Sequence, residues 1–215
     1  MRVPILLLTA LSPQTALSFI TPSVVRHASR VDALPTVDEV ANDDFMKQLG
    51  HTSQIIPLLH SKSPGVPAPE LLAVLQQQFS HSDGIRGFFA VYLTSPESLE
   101  DEVPSVLVEA VKGADPKVMV PLACMNVVMP TAMTIIHQDA ELKECARKTA
   151  ENGKKILNLL KGTELVIDNC MAIDRVCADL DGDDELFLYW NKFFQNYKYG
   201  HDEKEAIGMA VAEFC

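Results

Sequence analysis

The sequence predicts an all-α fold. No segment alternates apolar and polar residues for long enough to read as a strand. Apolar residues instead recur at helical spacing between aspartate, proline and glycine stops. A long uncharged segment, residues 118–136, is flanked by charged amphipathic ones, as expected of a helix buried on all sides. The expectation is a single compact bundle of about seven helices around a central kinked apolar helix, formed by residues 34–215.

The punctuation places the elements in order. Asp43 and Asp44 can cap a first helix carrying Phe45, Met46 and Leu49, and residues 55–59 continue its apolar face. Residues 61–69 hold Pro64, Pro67 and Pro69 and read as a loop. Pro69 sits in a first turn, where its missing N–H costs nothing. Residues 70–79 form the next helix, with Leu71, Leu72, Val74, Leu75 and Phe79 apolar. Asp83 caps a helix over 84–93, and Pro104 opens one that ends at Gly113. Asp115-Pro116 starts the central helix, which turns charged from Asp139 to Lys161 and stops at Gly162. Pro130 should kink or divide it, because proline removes a helix bond and clashes with the preceding turn. Thr163 opens a helix to about Leu180. Asp183 caps one that runs through Tyr199 and stops at Gly200. Asp202 with Glu205 resembles a capping box for a last helix ending at Phe214.

Residues 118–136 have the length of a membrane span. Pro121, Pro130, Asn126 and two threonines, together with the amphipathic neighbours, favour a core helix, and no stable membrane span is expected. Asn126 should then find a hydrogen-bond partner. Met119, Met125, Met129 and Met133 form a soft face of the kind that fills cores.

The N-terminus reads as an address. Arg2, an apolar run over residues 3–11, and the small residues Ala16 and Ser18 make a secretory signal with cleavage after Ser18. From Phe19 the chain carries Thr21, Ser23, Arg26, Ser29 and Arg30 and no acid before Asp32, which is the composition of a transit segment. The pair, with Phe19 at the cleavage point, resembles the bipartite presequences of diatoms and related algae with red-lineage plastids. That resemblance implies a signal peptide over 1–18, a plastid transit segment over 19–33, and import into the plastid stroma through a secretory-type signal.

Charge and cysteines narrow the function classes. The chain has a net charge of −11, and removal of residues 1–33 takes it to −13. Nucleic-acid binding rests on basic phosphate contacts and is not expected; a basic protein partner suits this surface. The five cysteines are scattered, and Cys170 and Cys177 lie about 10 Å apart along one helix, too far for a disulfide. They read as reduced thiols, in keeping with a stroma.

No nucleophile elbow, phosphate loop or dinucleotide fingerprint is present. His137 and Glu141, four apart, are the most metal-like pair, but helical di-metal sites need a second motif that the chain lacks. The acids around Gly182 fail as a calcium loop: with Gly182 sixth, positions one and twelve are Cys177 and Leu188. The densest signal is aromatic. Phe187, Trp190, Phe194 and Tyr197 share one helical stripe, which the domain core, a partner protein or a flat pigment-type ligand must cover. No histidine lies in that stripe to ligate a tetrapyrrole. The candidate ligand or partner surface is therefore Trp190, Phe187, Phe194 and Tyr197, with Asn126 and His137 from the central helix. No cofactor and no catalytic residue is assigned.

The stretches GIRGFFAVYLT (84–94), MNVVMPTAM (125–133) and YWNKFF with YKYGHDEKEAI (189–207) resemble small helical proteins of cyanobacteria and plastids that carry no assigned activity. The resulting expectation is a non-enzymatic plastid protein that binds another protein in an assembly, scaffold or regulatory role. Alternatives are a pigment, tetrapyrrole or other small-ligand binder, or an enzyme of unrecognised type.

Overall fold

The structure, a computed structural model, describes residues 34–61, 66–99 and 102–215. The signal and transit segments expected from the sequence lie outside the described residues. The described residues form ten α-helices and two 3-10 turns, and no strand occurs among them. The fold is all-α.

The front of the molecule is built from five helices: α1 (Val37–Asn42), α2 (Phe45–Leu59), α3 (Ala68–Gln78), α4 (Ser82–Tyr92) and α5 (Ser105–Gly113). α2 lies against α4, and α3 against α1 and α5. The apolar α6 (Pro116–Ile136) follows and runs back along α7 (Ala140–Leu159). α8 (Glu164–Cys177), α9 (Glu185–Tyr197) and α10 (His201–Val211) close the other side. α6 touches α4, α7, α8 and α10, so it is the shared wall of both halves. Among the described residues it is the one helix long and apolar enough to cross a membrane. Here Met119, Val120, Cys124, Val127, Val128 and Ala132 are fully or almost fully buried between its neighbours. Each fully buried aliphatic side chain contributes about 1.5–3 kcal/mol.

Two additions to the predicted elements have local causes. α1 is only six residues long, too short for a periodic pattern, yet Thr36 and Glu39 form a complete capping box at its start. The break in the expected long central helix falls at residues 137–139 and not at Pro130. His137 is extended, and the Asp139 carboxylate accepts the N–H groups of Glu141 and Leu142 to begin α7. α6 stays helical through Pro121 and Pro130. Because Pro130 has no N–H, the Asn126 carbonyl four residues earlier loses its helical donor. α7 crosses at that spot with Gly153, where a Cβ would lie 2.3 Å from the Asn126 oxygen.

Several caps also move by a few residues. His81, not Asp83, caps α4: its Nδ1 accepts the Gly84 N–H, which leaves Nε2 to donate to the Val40 carbonyl at 2.9 Å. Asp184 caps α9. Lys198, in the left-handed region at φ 55°, closes α9. Gly200 opens α10, its N–H donating to Glu203 at 2.8 Å.

Buried amides tie the helices together. Gln48 Nε2 donates to the carbonyls of Val40 and Asp43, and Gln78 Nε2 donates to Gln48 Oε1 and the Thr52 hydroxyl. All three side chains are fully buried. On α7, Asn152 Nδ2 donates to the Leu93 carbonyl at 3.0 Å and to the Ser98 hydroxyl at 2.7 Å.

Candidate functional site

The aromatic stripe on α9 begins at a charged corner. The Asp184 carboxylate accepts the Phe187 N–H at 2.9 Å and Arg175 Nη1 at 2.7 Å, and these bonds hold its carboxyl below the usual range. The Arg175 guanidinium lies 5.0 Å over the Phe187 ring and donates to the Asp181 carbonyl. One turn on, Trp190 is fully buried, and its indole N–H donates to Asn169 Oδ1 on α8 at 3.0 Å. Phe194 is buried edge-on against Tyr199, and the half-buried Tyr197 stacks on Tyr199. Burial pushes the Tyr199 phenol up, and that of Tyr189 up to about 12. The interior of the protein thus covers Phe187, Trp190 and Phe194.

Asn126 and His137 sit elsewhere, on α6 and at its end. Asn126 Nδ2 donates to the Leu122 carbonyl at 2.8 Å, which gives the amide its partner within its own helix. His137 is the last-turn cap, and its Nε2 is buried without a hydrogen bond. About 16 Å of helix rise separates these two residues. His137 and Glu141 do not share a helix face, because the chain breaks between them. The six predicted residues therefore divide into an aromatic set on α9 and two separate positions on α6. Among the described residues, no group of three or more His, Cys, Asp or Glu side chains is arranged to hold a metal ion.

A different surface stands out at the C-terminal side. Residues 164–215 carry twelve acidic residues against four basic ones, so most of the net charge lies here. The same stretch holds five exposed large apolar side chains: Ile167 (37%), Met171 (51%), Leu180 (55%), Leu188 (52%) and Met209 (69%). Ile167 and Met171 lie one turn apart on the outside of α8, in line with the exposed Glu164, Asp168 and Asp174. α10 lies beside this row: a Cβ on Gly208 would be 3.7 Å from Asp174 Oδ1 and 3.4 Å from Cys177 Cβ. An ion pair between Lys204 and Asp179 ties α10 to the turn after α8. An open depression of about 660 Å³ continues past that turn, lined among others by Arg175, Asp179, Leu180, Asp183 and Asn191.

A family model described as "Uncharacterised conserved protein UCP020893" matches residues 44–214. The chain belongs to this family. The UCP020893 match starts at Asp44, the cap of α2, and ends at Phe214 in the closing 3-10 turn, so it takes in α2 through α10 and the acidic face. None of the curated proteins and none of the solved structures compared with the chain matches it.

The sequence reading missed this face because each half of its signal has an ordinary meaning. Acids at helix starts read as caps, and single exposed apolar residues are common. The local excess of acid over base in residues 164–215 was the signal available.

All five cysteines are free. Cys124 on α6 and Cys170 on α8 are fully buried neighbours, and contact with Cys170 together with burial raises the Cys124 thiol well above its usual value. Burial pushes Cys177 up to about 12. Thiols held in this state are poor nucleophiles at neutral pH.

Proposed function

We propose that this is a non-enzymatic plastid protein that acts by binding another protein, through the face formed by α8, the turn after it, and α10. The observation that carries this reading is the coincidence of exposed apolar side chains with concentrated acid in residues 164–215. Exposed apolar groups rimmed by charge are the usual composition of a protein-binding patch. The Phe19-led, acid-free segment before Asp32 supports import into the stroma. An assembly, scaffold or regulatory role fits a surface that offers contacts and no reactive group.

The test is affinity purification of tagged protein from native plastid extract, run beside a Met171→Glu/Met209→Glu variant. The expected result is a stoichiometric partner held by the wild type and lost by the variant. Absence of any stable partner, or one retained equally by both proteins, contradicts the reading. The N-terminal residue of the protein recovered from plastids tests the address: processing beyond Phe19 is expected, whereas an intact Met1 opposes it.

A further inference from the structure

We infer that the outer side of α8 and α10 receives a cationic amphipathic helix from the partner. This rests on the protein-binding reading above and names the chemistry of the bound element. Glu164, Ile167, Met171, Asp174 and Ala178 follow one another at spacings of three and four, the period with which one helix meets another. The row is about 21 Å long, the length of four turns of a facing helix. Its apolar pair, Ile167 and Met171, is flanked by the acidic Glu164 and Asp174.

α10 supplies the second wall. Gly208 meets α8 at Asp174 and Cys177, and the next residue, Met209, is the most exposed large apolar side chain among the described residues. Unbranched, polarisable methionines adapt to a helix face in a way that branched side chains do not. Asp168 on α8 and Glu205 on α10 are exposed and form no ion pair among the described residues, so both carboxylates are available to a lysine or arginine of the incoming helix. An acidic helix would meet repulsion along the whole face. An extended basic strand would place its side chains at a period of two and could not follow the apolar row.

A fluorescent peptide of about 18 residues, made of Leu and Lys with Leu at helical spacing, is the probe; a scrambled peptide of the same composition is its control. Both are titrated into the full chain at two salt concentrations. The patterned peptide should bind about tenfold more tightly than the scrambled one and become helical on binding. Met171→Glu/Met209→Glu should weaken it about tenfold, and Asp168→Asn/Glu205→Gln should flatten the salt dependence. Circular dichroism confirms that the variants fold. Equal binding of both peptides reduces the face to a simple polyanion and overturns the inference, as does patterned-peptide binding that neither variant changes. If the patterned peptide fails while the native partner is still lost in Met171→Glu/Met209→Glu, the helix assignment falls and the protein-binding reading stands. If the partner too is unaffected, both fall.

Discussion

Gly153 of α7 is packed against the backbone carbonyl of Asn126 on α6, the carbonyl that Pro130 deprives of its helical donor. The three residues form one arrangement. Proline releases the oxygen, and glycine leaves room for it where the two most extensively packed helices cross. Gly153→Ala should therefore cost about 1–3 kcal/mol, because a methyl group 2.3 Å from backbone has no side chain to displace. Gly50→Ala in α2, where nothing lies within 4 Å, should instead stabilise by about 0.4–1 kcal/mol. Urea denaturation of both variants measures the contrast, and similar signs for the two would contradict this account of the crossing.

The same arrangement predicts coupling. In Pro130→Ala the new N–H can take back the Asn126 carbonyl and draw it toward the helix axis. Gly153→Ala should then cost less than it does beside Pro130, with a coupling of at least about 0.5 kcal/mol in a double-mutant cycle. Strict additivity would mean that the proline and the glycine act separately.

Asn169→Ala should destabilise by about 1–3 kcal/mol, since it leaves the Trp190 indole N–H buried without an acceptor. Trp190 is the one tryptophan in the chain, so its fluorescence reports the change directly. Stability equal to wild type would mean that water or another acceptor serves the indole.

Acid should weaken the fold through carboxylates held ionised by hydrogen bonds and ion pairs. Asp184 is held below its ordinary 3.8 by the Phe187 N–H and Arg175, and Asp43 by Lys47 and His51. A carboxyl lowered in the folded state stabilises it fully above its ordinary value, and that contribution is lost as pH falls through the lowered one. The stability difference between wild type and Asp184→Asn should therefore be constant near neutrality and shrink below pH 3.8. Thermal melts across this window measure it, and a difference that grows toward acid reverses the assignment.

Thiol labelling should follow burial. Cys215 is exposed and Cys145 half-buried, so iodoacetamide should reach these two in the folded protein. Cys124 and Cys170 should react only on unfolding, and Cys177 slowly, because burial keeps its thiol protonated at neutral pH. Mass spectrometry of partly labelled protein gives the order, and early modification of Cys124 would contradict the close packing of α6 on α8.

Helix class was legible in the sequence because apolar periodicity and stop residues act locally. α1 was not predicted: its capping box, Thr36 with Glu39, opens only six residues, too few for a periodic pattern. The break after α6 was hidden because Pro130 is the stronger breaker on paper. Its cost was met by a residue 23 positions away, Gly153, which no local rule connects to it. The aromatic stripe was legible as a face that needs cover, whereas its cover came from α8, through Asn169, a contact between residues 21 apart. The C-terminal face depends on which side chains remain outside after packing, and periodicity does not report that.

Asn152 reaches from α7 to the Leu93 carbonyl and the Ser98 hydroxyl, residues 59 and 54 positions earlier in the chain. The front helices cannot swing away without stranding a buried amide on the far side of the molecule. Unfolding should then be cooperative across both halves. In that case Trp190, on α9, is a sound optical gauge for α1 through α5 as well.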